Sequence, residues 1–214
     1  MPATPASKPP GRKFHDGKRH GRKSDPVHGA VTAALLALAA TATSCTGFRE
    51  ARPGVLRSTF QREEQLIQRI EDYDIRTVVC LRGGRSARVT ARACLAEGVG
   101  FREISMSAKR APDPEDLLAL WNVAHTAARP MLIHCRAGVD RTGLASALVV
   151  LHDTGDLALA RDQLSLWRYG HLAAFGTEAM DQVLDAYEPY LDSHSFPAWV
   201  EQVYTPRFRE LATR

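Results

Sequence analysis

The sequence has 214 residues, of which 44% are apolar, and this is enough to bury one core of ordinary domain size. The net charge of +4 is unevenly distributed. Residues 1–44 carry seven Lys and Arg against two Asp and Glu, which leaves 21 of the 28 basic and 22 of the 24 acidic residues in the rest of the chain. The predicted folded part is therefore nearly neutral, and this argues against nucleic acid as a partner.

Residues 1–45 are predicted to be a basic N-terminal region followed by a targeting segment. An apolar run of small residues covers residues 29–43. It is shorter than the about 20 apolar residues of a spanning helix but fits the core of a signal peptide. The small residues before Cys45 resemble a bacterial lipoprotein cleavage site, although Ala42 stands where Leu is usual. We expect export and membrane association through this segment or a lipidated Cys45; the alternative is a cytoplasmic protein with a basic tail.

Residues 50–214 are predicted to form one α/β domain. Short buried strands are expected where apolar and β-branched residues run together, at residues 55–57, 76–81, 101–106 and 131–134. Helices are expected where apolar residues recur at helical spacing, at residues 61–73, 86–97, 114–128 and 142–151, and again after residue 156. This alternation predicts three layers, with a mostly parallel central sheet flanked by helices and ligands beyond the carboxyl ends of its strands.

The last predicted strand runs into residues 134–143, which read His-Cys-Arg-Ala-Gly-Val-Asp-Arg-Thr-Gly. A tight loop between a strand and a helix can direct backbone N–H groups at a phosphate dianion, with the helix dipole behind them. We expect Cys135 to be a thiolate nucleophile and Thr142 to hydrogen-bond its sulfur. The predicted phosphate-binding residues are Arg136, Ala137, Gly138, Val139, Asp140 and Arg141, with Arg141 gripping two phosphate oxygens.

These ten residues resemble the signature of the cysteine-dependent protein tyrosine phosphatase superfamily, in which His, Cys, five residues, Arg, Thr and Gly follow one another. Residues 54–58 (GVLRS) and 75–83 (IRTVVCLRG) resemble the first two strands of bacterial and fungal dual-specificity-like members. The resemblance covers about residues 53–190. It implies a fold of the dual-specificity phosphatase type and hydrolysis of a phosphomonoester through a phosphocysteine, without a metal or cofactor. It also implies that His134 supports the loop by hydrogen bonding.

Two carboxyl groups are candidates for the general acid that protonates the leaving oxygen. The resemblance places this acid on a neighbouring loop, and residues 107–113 form such a loop and end in Asp113. The same residue is expected to be the N-cap of the helix that starts at Pro114. Asp140 is the alternative, since some bacterial and lipid-directed members share the Asp-Arg-Thr-Gly ending. Otherwise Asp140 braces the loop by bonding to backbone N–H groups.

The substrate is less closely defined than the reaction. We expect protein phosphotyrosine, with dual specificity as an extension. A phosphorylated inositol or a phosphoinositide lipid is the alternative, because a polyanion would suit the basic residues near the strand ends, although ordinary solvated charge explains them as well. These residues are Arg82, Arg85, Lys109 and Arg110. A phosphate-binding module with weak or no turnover is a further alternative.

Overall fold

The structure of the protein is a computed structural model that describes residues 47–174 and 176–212. The predicted targeting segment and Cys45 lie outside these residues. Within the two described ranges, no helix is both long enough and apolar enough to cross a membrane.

A five-stranded sheet forms the centre of the described domain. Its strands are β1 (Arg49–Arg52), β2 (Val55–Ser58), β3 (Thr77–Cys80), β4 (Gly100–Glu103) and β5 (Met131–His134). The spatial order is β1-β2-β5-β3-β4, and every neighbouring pair is parallel except β1 with β2. The prediction of a mostly parallel central sheet is confirmed, and β5 is its middle strand.

Helices follow the strands in the alternation that the sequence predicts. They are α1 (Glu63–Asp72), α2 (Arg85–Ala96), α3 (Pro114–Thr126), α4 (Asp140–Thr154), α5 (Leu157–Arg161), α6 (Leu166–Tyr169), α7 (Ala179–Tyr187), α8 (Phe196–Trp199) and α9 (Thr205–Ala212). Short 3-10 segments at Asp162–Leu164 and Glu188–Tyr190 and a π segment at Val200–Tyr204 join the C-terminal helices. The predicted helical C-terminal layer is therefore present, in shorter pieces than the spacing suggested.

Successive strand residues face two separate apolar clusters. Val79 and Ile133 belong to a cluster with α3, α4 and the C-terminal helices. Val78 and Leu132 belong to a cluster with α1 and α2. Because adjacent strand residues point to opposite faces, the sheet is covered on both sides and a three-layer domain results. Burying each of these side chains stabilises the fold by about 1.5–3 kcal/mol.

The strand register gathers three strand ends at one edge of the sheet. Ser58 of β2 and Cys80 of β3 both align with His134 of β5. The chain leaves β5 at His134 and begins α4 at Asp140, so the segment between them is a tight loop at this edge. Ligands of parallel α/β sheets bind beyond the carboxyl ends of the strands, and the loop lies there.

One strand was not predicted, and several element boundaries differ from the sequence prediction. The strand β1 was not predicted, because its sequence Arg-Glu-Ala-Arg has no apolar pattern and an edge strand needs only backbone pairing. The edge strand β4 ends at Glu103, three residues earlier than predicted. Helix α4 begins at Asp140, two residues earlier than predicted, and the N–H of Gly143 donates to the carbonyl of Val139 at 2.6 Å within its first turn.

Candidate active site

Gly138 forms the turn of the loop between β5 and α4. Its φ is +70°, which L side chains rarely adopt, and a Cβ atom here would lie 2.5 Å from the carbonyl oxygen of Ser58. The N–H of Phe60 donates to the carbonyl of Arg136 at 3.1 Å. The loop therefore packs directly on the end of β2, and its shape depends on a glycine at this position.

Arg57 of β2 holds the same loop from its buried side. Its side chain is 1% exposed, and Nη2 donates to the carbonyl oxygens of Gly138 at 3.1 Å and Val139 at 3.2 Å. Nη1 donates to the carbonyl of Gln163 at 2.9 Å, and the guanidinium lies 3.7 Å from the ring centre of Tyr169. Burial lowers the pKa of Arg57 to about 10, so the group remains a cation at neutral pH. A buried cation thus satisfies the loop carbonyls.

Cys135 directly follows β5, and its side chain is only 3% exposed. Burial by itself would raise the pKa of the thiol. The Thr142 side chain, the charge of Arg141 and the N–H groups of Gly138 and Thr142 outweigh burial, so the pKa of Cys135 is lowered. The N–H of Gly138 donates to the sulfur at 3.3 Å. The buried Thr142 hydroxyl has no competing hydrogen-bond partner within the described ranges, so it can turn toward the thiolate of Cys135.

Arg141 is anchored by Nη1, whereas its Nε is left unpaired among the described residues. Nη1 donates to the carbonyl oxygens of Leu81 at 3.3 Å and Met106 at 3.2 Å. Nε is buried and has no hydrogen-bond partner within the described ranges. The Nε edge of the guanidinium is therefore available for two oxygens of a phosphoryl group, which is the bidentate geometry expected of a clamp.

Asp113 lies on the loop between β4 and α3 and is the N-cap residue of α3, as predicted. The expectation that its side chain caps the helix is wrong, because the carboxylate makes no hydrogen bond to the first turn. Only its backbone carbonyl accepts bonds there, from the N–H groups of Asp116 and Leu117. The exposed carboxylate lines a cavity of about 400 Å³ together with Met106. Met106 also anchors Arg141, so the Asp113 loop borders the clamp.

Asp140 is the first residue of α4, immediately before the clamp residue. Its Oδ1 lies 2.8 Å from Nδ1 of His171, and Nε2 of His171 lies 2.8 Å from Oδ2 of Asp181. The hydrogen bond to Asp140 and the interaction with Asp181 raise the pKa of His171, although burial opposes them. The expected brace between Asp140 and loop N–H groups is not what the structure shows. A side chain of the C-terminal layer holds the carboxylate instead.

His134 is buried beneath the loop. Its Nε2 lies 3.2 Å from the hydroxyl of Thr90, and its Nδ1 lies 3.4 Å from the carbonyl of Cys135. Burial lowers the pKa of His134 to about 4, so the ring is neutral at neutral pH. This environment suits a structural support rather than a proton donor.

Basic side chains surround the site at the same edge of the sheet. The exposed ones are Arg85, Lys109, Arg110 and Arg136, and Arg82 is half-buried. None of the described residues forms a cluster of His, Cys, Asp and Glu side chains that could hold a metal ion.

Two residues of the site, Arg57 and His171, were not predicted as functional. The available signal for Arg57 was a charged residue inside a short, otherwise buried strand. For His171 there was no local signal, because its partner Asp140 is 31 positions away in the sequence.

A sequence profile described as "Tyrosine phosphatase family" matches residues 115–153, a segment that contains Cys135 and Arg141. Among curated proteins, none matches the sequence significantly. Among solved structures, a mutant form of Tk-PTP superposes with a TM-score of 0.56 at 21% identity, covering 69% of this chain and 98% of that chain.

Two further structures have the same architecture. A variant of TpbA from P. aeruginosa in complex with pTyr has a TM-score of 0.53 at 17% identity and covers 70% of this chain and 92% of that chain. The core catalytic domain of the PP-IP phosphatase SIW14 from S. cerevisiae, in complex with citrate, has a TM-score of 0.52 at 18% identity and covers 78% of this chain and 93% of that chain. Identities this low show a shared three-layer fold of the tyrosine phosphatase type. The matched segment contains the loop, so the profile and the shared fold both support the resemblance of this chain to the cysteine-dependent protein tyrosine phosphatase-like superfamily.

Proposed function

We propose that the protein hydrolyses phosphomonoesters through a phosphocysteine intermediate, with phosphotyrosine on protein as its substrate. One observation carries the proposal: a thiol with a lowered pKa and an arginine with a buried donor unpaired among the described residues stand at the two ends of one tight loop. These residues are Cys135 and Arg141. A thiolate is the reactive form of cysteine, and the arginine fork matches the equatorial oxygens of a phosphoryl group during transfer.

In the first step, the thiolate of Cys135 attacks phosphorus while the bond to the ester oxygen breaks. Loop N–H groups and Arg141 bind the phosphoryl oxygens and gain strength as charge spreads over them in the transition state. The carboxyl group of Asp113 gives its proton to the leaving oxygen, so the alcohol or phenol departs neutral.

In the second step, water attacks the phosphocysteine. The carboxylate of Asp113 accepts a proton from this water as the new phosphorus–oxygen bond forms and the bond to sulfur breaks. Thr142 donates a hydrogen bond to the departing thiolate of Cys135, which restores the starting state. The products are inorganic phosphate and the free hydroxyl compound.

The depth of the nucleophile supports phosphotyrosine as the substrate. Cys135 is almost completely buried at the base of the loop, and a phosphate on an aromatic ring reaches farther than one on a serine side chain. The structural relative TpbA binds pTyr, which agrees with this choice. A phosphorylated inositol or phosphoinositide is the second candidate, favoured by the exposed cations and by the PP-IP phosphatase among the similar structures.

Turnover of p-nitrophenyl phosphate by the wild type and by Cys135→Ser, with and without a chelator, tests the reaction. We expect activity that a chelator does not change and that Cys135→Ser lowers by at least about 10³-fold. Cys94→Ser replaces another buried cysteine, on α2, and should keep its activity. Chelator-sensitive activity that survives in Cys135→Ser would rule out the thiolate mechanism.

The substrate is tested with a phosphotyrosine peptide, a phosphoserine peptide and an inositol polyphosphate at equal concentration. The proposal expects the highest kcat/KM for the phosphotyrosine peptide. Faster release of phosphate from the inositol compound would favour the second candidate. Binding of these compounds without any release would instead indicate a phosphate-binding module.

A further inference from the structure

His171 reaches the phosphate loop from the C-terminal layer of the fold. It directly follows Gly170, whose φ of +74° ends α6 in the left-handed conformation and turns the chain inward. The His171 residue is 2% exposed. A histidine so deeply buried needs partners for its ring nitrogens, and the two it finds lie in the first turns of two different helices.

Both ring nitrogens of His171 face carboxylate oxygens at 2.8 Å, one from Asp140 at the start of α4 and one from Asp181 in the first turn of α7. A neutral imidazole has a single N–H and would turn a lone pair toward one of these oxygens. An imidazolium donates to both. The geometry therefore favours a buried cation between two ionised carboxylates.

Asp140 needs such a partner because of its position. It lies between the loop N–H groups and the clamp residue Arg141, where the proposed reaction brings a phosphate dianion beside a thiolate. An unpaired carboxylate at this point would repel both anions. The His171 contact offsets this charge and holds Oδ1 of Asp140 toward the C-terminal layer.

We propose that His171 is a positioning residue of the phosphate site: backed by Asp181, it offsets the charge of Asp140 and keeps its carboxylate turned away from the bound phosphate. The role rests on the proposed function, since it concerns the site in which the phosphate is bound. It also means that Asp140 is not the general acid. An oxygen that accepts a hydrogen bond from a buried cation is poorly suited to deliver a proton to a leaving group.

Alkylation of Cys135 by iodoacetamide across pH tests the proposal without any turnover, because the modified peptide is identified by mass spectrometry. In His171→Ala, the uncompensated charge of Asp140 should move the alkylation midpoint of Cys135 to higher pH. The Kd for inorganic phosphate should rise about tenfold. His125→Ala is the matched control, since His125 is exposed on α3, and it should behave as the wild type.

A rescue experiment separates charge compensation from a merely structural role. If His171 acts by offsetting Asp140, the double variant His171→Ala/Asp140→Asn should recover most of the loss in phosphate binding and in the alkylation midpoint. Asp181→Asn should show a smaller change in the same direction as His171→Ala. A structural role would instead make the effects of His171→Ala and Asp140→Asn additive.

Two results would overturn the proposal: an unchanged midpoint and Kd in folded His171→Ala, or no rescue by Asp140→Asn. Melting curves for each variant identify any that fails to fold, and in that case His171→Gln replaces the alanine variant. If the wild type releases no phosphate from any ester, the proposed function fails by itself. The alkylation profiles of Cys135 still decide the role of His171.

Discussion

Asp113 and Asp140 are two carboxyl groups in opposite environments beside one loop. The side chain of Asp113 is exposed and makes no hydrogen bond to the helix that it precedes. Asp140 is paired with buried His171. A general acid must reach the leaving oxygen and exchange its proton, so we propose the exposed Asp113 for this role rather than the paired Asp140.

Substitution of Asp113 by Asn should therefore slow the hydrolysis of esters with poor leaving groups. We expect kcat/KM for phenyl or tyrosyl phosphate to fall by about 10²–10⁴, and kcat/KM for p-nitrophenyl phosphate to fall much less, because p-nitrophenolate leaves without a proton. The melting temperature should not change, since no side-chain cap is lost. Glu115→Gln, on the exposed surface of the same helix turn, is the control and should have no effect.

Asp140→Asn tested in parallel decides between the two carboxyl groups. It should affect both esters alike, because its change acts on the charge of the phosphate site and not on proton transfer. A strong dependence on the leaving group in Asp140→Asn, together with none in Asp113→Asn, would show that the assignment is wrong.

The residues of the loop could be read from the sequence because their roles depend on fixed spacing along the chain. Cys135, Gly138 and Arg141 belong to one turn whose geometry follows from its length and its glycine. Arg57 and His171 could not be identified in this way. Each touches the loop only because a distant element packs against it, and no local pattern encodes such packing.

At the scale of secondary-structure elements, the loop depends on its contact with the end of β2. Gly138→Ala adds a Cβ that would lie 2.5 Å from the carbonyl oxygen of Ser58, at a φ of +70°. The loop has to move to relieve this contact, so its N–H groups lose their alignment. We expect a loss of at least about 10²-fold in kcat/KM and about 1–3 kcal/mol of stability, measured by urea denaturation.

Gly155→Ala is a matched control for the effect of backbone conformation. Gly155 has a φ of +69°, lies just after α4 and would place its Cβ within 4 Å of no other group. The substitution should cost about 1 kcal/mol and leave kcat/KM unchanged. If Gly138→Ala retained full activity, contact with β2 would not be what shapes the loop.

The sequence predicted the buried elements better than the peripheral ones. Strands β2, β3 and β5 are buried on both faces, so continuous apolar runs identify them. Edge strand β1 consists mainly of charged residues and is held by backbone pairing with β2. The short helices of the C-terminal layer depend on packing against neighbouring elements, which periodicity over four or five residues cannot define.

At the scale of the whole molecule, buried His134 should make the fold sensitive to acid. Its pKa is about 4 in the folded protein, against about 6.5 for an unfolded chain. As pH falls below about 6.5, the unfolded state binds a proton before the folded state does. His134 therefore leaves the free energy of unfolding unchanged above this pH and lowers it progressively toward about pH 4. The slope from this group is at most about 1.4 kcal/mol per pH unit.

Urea denaturation of the wild type and His134→Gln between pH 7.5 and 5 measures this contribution. The variant should be less stable at neutral pH but should show a shallower decline in acid. His125→Gln, at an exposed position, should keep the slope of the wild type. Equal slopes in wild type and His134→Gln would assign the acid sensitivity to other groups. His171 has the opposite pH dependence, because its pKa is raised in the folded protein. Its contribution to stability is present below about pH 6.5 and is lost as pH rises through its folded pKa.

The layer arrangement followed from the alternation of elements, whereas the order of the strands did not. Placing β5 between β2 and β3 depends on pairings between segments more than 50 positions apart, and the sequence contains no local sign of them. Export and anchoring through residues 1–45 stay a prediction.

The central position of β5 has a consequence for how the protein is made. β2 and β3 leave the ribosome long before residues 131–134. Each strand then has an edge of unpaired backbone groups, because its parallel partner has not yet been synthesised. Closing parallel pairs over such separations is slow, so the nascent chain is prone to aggregation and to capture by chaperones during this interval. Insertion of β5 ends the exposure. The same event brings Cys135, the proposed nucleophile, to the sheet edge, so the proposed site forms only as the sheet is completed.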